Sequence, residues 1–419
     1  MTTMDRELQQ PRAPKQGRRV SPWWYLLAFA GVLLLLSVLQ LVTGASDLVS
    51  SGTVAATLIA TVPIALAALG GLWSERAGVV NIGLEGMMIL GTYGAGFFGY
   101  HYGPWVGVLG AIALGAMGGL IHAVATVVFG VDHIISGVAI NIIALGVTQY
   151  LAVLTFTGLP GGGQTQSPKL EDVGTITIEP LSDALGKVEG ADILFVSEIA
   201  AVLRALVTSL SLLVVLAIVL FVVTYFLLWR TSFGLRLRSC GESPVAAESL
   251  GVNVYRYKFV AVLTSGALAG LAGGFLALVA SSNYRDGQTG GRGYIGLAAM
   301  IFGNWRPGGV LMGSGLFGYT ETLGLRQGGT SVHALLLAIA LLLLAAAVWQ
   351  FRRGQHVATF VSVGLALAVG ALYFSIDEVP GDFTRMTPYV ATLLVLALAS
   401  QRLRMPAADG LRYRRGSAG

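Results

Sequence analysis

The chain has 419 residues, of which 55% are hydrophobic and only 11% charged, against roughly 25% charged in a soluble domain. With a mean hydropathy of +0.75, it lacks the polar surface to cover itself in water, which excludes a soluble globular fold. A single cysteine, Cys240, and five scattered histidines exclude an intrachain disulfide and give no metal-ligand spacing. The net charge of +5 asks for no nucleic-acid partner and fits a membrane protein whose basic loops face anionic headgroups.

A bilayer span needs about 20 apolar residues. Charge-free runs of that order occur at Pro22–Gly44, Leu48–Ser74, Tyr102–Val131, the first half of His133–Pro168, Ala205–Trp229, Phe259–Tyr284, Ser331–Gln350 and Gly354–Ser375. Gly86–Tyr100 and Met386–Ser400 are shorter candidates. The first run is too long for a signal peptide and ends without a convincing cleavage site. Glycine is abundant, at 57 residues, and forms the stripes Gly115-x-x-x-Gly119 and Gly266-x-x-x-Gly270-x-x-x-Gly274. Such stripes let helices approach closely.

Between the second run and Gly86–Tyr100 lies Glu75-Arg76-Ala77-Gly78-Val79-Val80-Asn81-Ile82-Gly83-Leu84-Glu85. Each charge at membrane depth costs at least about 2.5–3.5 kcal/mol, so a cluster there calls for a role. Asn81 and Glu85 share one face if the segment is helical. Farther on, Gly293–Trp305 and Pro307–Thr320 are each too short to cross, and Asn304-Trp305-Arg306-Pro307 separates them. This predicts a broken, re-entrant pair of half-helices. Irregular backbone at that depth must be buried in protein or line a wet cavity, and paired breaks in two halves of a chain point to a transport path.

Positive charge sets the predicted topology. The segment 1–21 carries Arg6, Arg12, Lys15, Arg18 and Arg19, and the loop 230–258 carries Arg230, Arg236, Arg238, Arg256 and Lys258. Both are placed inside, as is the basic tail 402–419. The loop 157–199 holds seven acids and two lysines and is placed outside. The expected fold is an all-α polytopic membrane protein, about ten transmembrane helices plus the re-entrant pair, both termini cytoplasmic. The permease domain spans 22–401, with an extra hairpin at 331–376.

No phosphate-binding loop occurs, no chain of intramembrane acids suggests a proton relay, and no nucleophile stands with a base, so no catalytic residue is assigned. Within 230–258, Ser243 is a candidate N-cap, Pro244 suits the first helical position and Gly251 a helix stop. A helix of about two turns, Pro244–Leu250, follows. It is either a plain connector or a docking element.

These segments resemble the permeases of the ribose/nucleoside/branched-chain amino-acid superfamily of ABC importers. Glu75–Met88 is similar to the form of the nucleoside branch rather than that of ribose permeases. The loop around Pro244, Ile134–Asn141, Gly293–Trp305 and the tail from Thr387-Pro388-Tyr389 to Leu411-Arg412-Tyr413 resemble the family in order. The basic N-terminal extension, the loop near Gly158–Glu198 and the hairpin Ser331–Ser375 depart from it. The resemblance implies a transport subunit in a bacterial cytoplasmic membrane, not an enzyme, moving nucleosides inward by alternating access. A separate ABC ATPase uses the ATP, a second permease chain (paralogue or self) completes the path, and a substrate-binding lipoprotein delivers the ligand. It also implies ATPase coupling through Gly241, Glu242, Ser243, Pro244, Ala247 and Gly251, with no cofactor or metal held by the chain itself. Asn81, Glu85, Asn141, Asn304 and Trp305 are the expected path residues: the polar ones offer hydrogen bonds and Trp305 an aromatic face. Alternatively, the asparagines tie helices together and Glu85 pairs with Arg76 or a backbone amide. A simple-sugar permease and an ion-coupled secondary transporter are the rival functions.

Overall fold

The computed structural model describes residues 22–45, 47–326, 328–384, 386–387 and 403–416. The basic segment 1–21 and nearly all of the expected span Met386–Ser400 lie outside the described residues. Those described are mostly helical. The two short strands Thr175–Ile176 and Leu210–Ser211 pair antiparallel.

The helices in chain order are α1 (Pro22–Thr43), α2 (Ser51–Arg76), α3 (Leu84–Tyr102), α4 (Pro104–Ala123), α5 (His133–Phe156), α6 (Glu179–Glu189), α7 (Val196–Ala205) and α8 (Leu212–Arg230). After them come α9 (Ser232–Glu242), α10 (Pro244–Ser249), α11 (Val254–Phe275), α12 (Arg292–Phe302), α13 (Pro307–Arg326), α14 (Gly328–Arg352), α15 (His356–Ser375) and α16 (Gly381–Thr384). Wide π turns lengthen α4 to Val128 and α11 to Ala280. Among the described residues, seven helices are long and apolar enough to cross a bilayer: α2, α4 and α11 with their extensions, α5, α8, α14 and α15. The chain is thus a multi-pass membrane protein.

At the centre lies α11, with 78% of its apolar window buried, whereas α15 has 11% and packs mainly on α14 at the periphery. Glycine explains how α11 can sit so deep. Gly266 and Gly270 face Gly115 and Gly119 of α4: a Cβ added at Gly266 would stand 2.5 Å from the Gly115 carbonyl and 2.7 Å from the Gly119 Cα. The two stripes read from the sequence are the two sides of one helix contact. At that contact the small side chains substitute packing for the hydrophobic drive that lipid does not supply.

The region 292–326 departs from the expected pair of half-helices. α12 has only 11 residues, but α13 has 20 and runs on to Arg326, about 30 Å at 1.5 Å per residue. The charge at Glu321, which made the run look short, is neutralised by an ion pair with Arg292. Gly303 abuts Gly309 and Val310, and Gly313 abuts Ala299, so α12 and α13 fold back on each other as an uneven hairpin.

Candidate transport and coupling sites

α2 stops at Arg76 and α3 starts at Leu84, so Asn81 lies in a non-helical break and shares no helix face with Glu85. The break is buried, and its backbone must therefore find partners. Four helices supply them. Lys258 Nζ donates to the Gly78 carbonyl (3.1 Å) and Ser74 Oγ to that of Val79 (2.5 Å). His122 Nε2 lies 3.0 Å from the Val80 carbonyl, and the Val80 N–H donates to His133 Nδ1 (3.3 Å). Asn141 Nδ2 donates to the Ile82 carbonyl (3.0 Å). Asn81 Oδ1 accepts from the Gly83 N–H (3.1 Å), and its Nδ2 donates to Ser265 Oγ (2.9 Å).

Glu85 does not pair with Arg76. Its carboxylate accepts from the backbone N–H groups of Gly291 (2.9 Å) and Gly293 (2.7 Å). These are the orphan donors at the start of α12, where the helix dipole also favours an anion. A Cβ at Gly293 would stand 2.6 Å from the Glu85 backbone nitrogen, so only glycine lets the carboxylate reach. Beside it, Asn141 Oδ1 accepts from the Gly86 N–H (2.7 Å) and Nδ2 donates to the hydroxyl of the exposed Tyr294 (3.0 Å). Asn81, Glu85 and Asn141 therefore surround the N-terminal end of α12.

Asn304 and Trp305 stand at its other end, roughly 16 Å away for 11 residues. Both adopt left-handed φ, +52° and +51°; asparagine tolerates this just past a helix end, but for the bulky Trp305 it is strained, at a cost on the order of 1–3 kcal/mol. The end of α2 holds it. Arg76 Nε and Nη2 donate to the Trp305 carbonyl (2.8 and 2.5 Å), and Trp305 Nε1 donates to the Glu75 carboxylate (2.6 Å). The Arg76 guanidinium also lies 5.5 Å from the Trp229 ring, a cation–π contact.

The loop after α8 meets this cluster directly. Gly241 lies against the Arg76 backbone, where a Cβ would stand 3.0 Å from the Gly78 nitrogen. Glu242 approaches Arg76 Nη1 at 3.9 Å. Pro244 opens α10, which ends at Ser249, one residue short of the expected Leu250, and Ser243, at φ −152° and ψ 89°, makes no side-chain cap hydrogen bond. Gly251 stops the helix as expected, at φ +81°, with its N–H on the Glu248 carbonyl (2.8 Å). Ala247 packs against Cys240 and Val254. Burial pushes the Cys240 thiol up to about 11, consistent with an inert packing role.

Sequence reasoning found the break, its acids and Asn141, but not the other groups that satisfy it. His122, His133, Lys258 and Ser265 come from helices distant in the chain. Their signal was available, since each is a polar side chain within or at the edge of an apolar run.

The family model for the branched-chain amino acid transport system permease component matches residues 53–348. The guanosine ABC transporter permease protein NupQ of Bacillus subtilis is 33% identical over 373 residues, covering 87% of this chain and 96% of the relative. The nucleoside ABC transporter permease protein NupC of Lactococcus lactis is 34% identical over 370 residues, 86% of this chain and 96% of the relative. A putative glucose ABC transporter permease protein of Haloferax volcanii, TsgC13, is 33% identical over 289 residues, 68% and 80%. No solved structure matches the chain.

Proposed function

Because the chain belongs to the family of branched-chain amino acid transport system permease components, we propose that it is the membrane-spanning subunit of an ABC importer for nucleosides. The observation that carries the substrate class is the match along 96% of two relatives named as guanosine and nucleoside permeases. The proposed setting is a bacterial cytoplasmic membrane, with the loop 230–258 and both termini inside and about ten crossings in all. Its partners are an ABC ATPase that binds the ATP, a second permease chain and a substrate-binding lipoprotein.

The path follows α12. Asn141 and Tyr294 present polar atoms to a ligand at its N-terminal end, where Tyr294 is 48% exposed. Asn81 and Glu85 hold that wall in place, while Asn304 and Trp305 form the end that answers to the coupling loop. An uncharged nucleoside needs a few donors and acceptors and an aromatic face; the Asn141 amide with the hydroxyl and ring of Tyr294 would serve, while Trp305 is buried. Gly241, Glu242, Pro244, Ala247 and Gly251 shape the coupling loop that docks on the ATPase, with Ser243 at the start of α10. ATP binding there biases a two-state equilibrium of the permease rather than catalysing a step.

Uptake of labelled guanosine, ribose and leucine by cells with and without the gene tests the reading. Guanosine uptake lost on deletion, and lost again with Glu242→Arg in a variant that still reaches the membrane, is expected. The glucose-named relative makes a simple sugar the second reading, and uptake of sugar alone would establish it in place of the first.

A further inference from the structure

Residues 403–416 return to the coupling-loop end as a strap. Its first contact is with the α12–α13 break, where the Arg404 N–H donates to Asn304 Oδ1 (2.8 Å). Its middle is stitched to the end of α9. The Ala408 N–H donates to the Gly241 carbonyl (2.8 Å), and that of Ala407 to Glu242 Oε2 (3.3 Å). Its far end grips α10: Tyr413 donates from its hydroxyl to Glu248 Oε2 (2.5 Å), and Arg415 Nε to Glu248 Oε1 (3.1 Å). The Tyr413 ring packs 5.4 Å from that of Tyr255 at the start of α11.

Between these contacts Asp409 turns inward. It is 7% exposed, its carboxyl lying against the Glu75 carboxyl and the backbone N–H of Gly410. Glu75 of α2 faces it, with Arg76 of α2 and Lys258 of α11 also close enough to act on its charge. Burial, the largest cause, pushes the Asp409 carboxyl up to about 7, opposed by hydrogen bonding with the Glu75 carboxyl and the Gly410 N–H and by the positive charges of Lys258 and Arg76. A merely solvated tail would leave this aspartate in water, because burying a carboxyl group is costly. The strap instead runs without interruption from the strained break to the short helix of the coupling loop.

We propose that this strap is a transmission element: it carries displacement of α10 to the Asn304–Trp305 break and thence to α12, with Glu248, Tyr413 and Asn304 as positioning residues for transport. The inference rests on the ABC permease reading above. It adds a second route to the direct contact of Gly241 and Glu242 with Arg76.

The test uses the complete complex, with ATPase, second permease and lipoprotein, reconstituted in liposomes. Combining Tyr413→Phe with Arg415→Ala removes both bonds to Glu248. Typical coupling energies correspond to factors of 5 or more, so nucleoside uptake per ATP hydrolysed should fall about fivefold or more while hydrolysis and co-purification persist. Glu248→Arg should lose coupling, and adding Arg415→Glu should restore it. Independently, Ala408→Cys should be protected from thiol reagents in one nucleotide state and labelled in the other, the buried Cys240 staying silent. Uptake and hydrolysis falling in step, or equal labelling in all states, would overturn the proposal. A wild-type complex with no ATP-driven uptake would instead defeat the ABC reading on which it rests.

Discussion

Gly266→Ala is the sharpest perturbation of the helix packing. The new methyl would stand 2.5 Å from the Gly115 carbonyl oxygen, whereas ordinary contact begins at 3.4 Å. The helices α4 and α11 would have to part by the difference, 0.9 Å. The obstacles are backbone atoms of Gly115 and Gly119, which have no rotamer to yield. Overpacking a tight interior costs about 1–3 kcal/mol, and the rigid neighbours put this site in the upper part of that range. Alanine gains about 1 kcal/mol over glycine in helix propensity, leaving a net loss of roughly 1–2 kcal/mol. Gly364→Ala in α15 is the control, since among the described residues nothing lies within 4 Å of its Cβ position. It should keep the propensity gain whole. Thermal midpoints of the purified chain in one detergent, read by loss of the monodisperse peak, should rank Gly364→Ala above wild type and Gly266→Ala below it. A Gly266→Ala midpoint at or above wild type would refute the facing-stripe packing.

Glu85→Ala leaves the Gly291 and Gly293 N–H groups buried without acceptors; at about 1–3 kcal/mol per orphaned group, the protein should accumulate less and melt earlier, and Glu85→Gln should restore part of that loss. Lys258→Met orphans the Gly78 carbonyl and should lower the midpoint by a similar amount, measurable in the same assay. Tyr294→Phe should accumulate normally but raise the concentration for half-maximal nucleoside uptake; unchanged uptake kinetics would remove Tyr294 from the path. For Asp409 the sign follows from its raised value: between the ordinary 3.8 and about 7 the docked strap binds more protons than the undocked one. Docking therefore weakens as pH rises through that window, by at most about 1.4 kcal/mol per pH unit. Labelling of Ala408→Cys should accordingly increase with pH, and Asp409→Asn should flatten the profile. Glu75, Arg76 and Lys258 also face this carboxyl and are retained in both chains compared.

The sequence revealed the breaks but not their construction. Pro307 announces the α12–α13 turn, because proline cannot continue a preceding helix but suits the first position of the next. Asn304 is a residue type that takes left-handed φ just past a helix end, whereas the left-handed φ of Trp305 carries no such signal, its carbonyl and indole being held by Arg76 and Glu75 from more than two hundred positions away. The length of α13 was hidden by Glu321, whose charge stops an apolar run in one dimension but meets Arg292 in three. Around Asn81 the cluster of acids and amides was readable as a costly feature. Its partners come from α4, α5 and α11, and only the folded bundle assembles them. The strap was the least visible part. A basic tail with five arginines over 402–419 reads as a cytoplasmic end, and Asp409 becomes unusual only once α2 and α11 enclose it.

The measurement closest to the central claim is uptake of labelled guanosine into liposomes holding the reconstituted complex, with and without internal ATP and with and without a protonophore. The account predicts uptake that requires ATP and the partner ATPase and is indifferent to the protonophore. Uptake that persists without the ATPase and collapses when the proton gradient is discharged would contradict it.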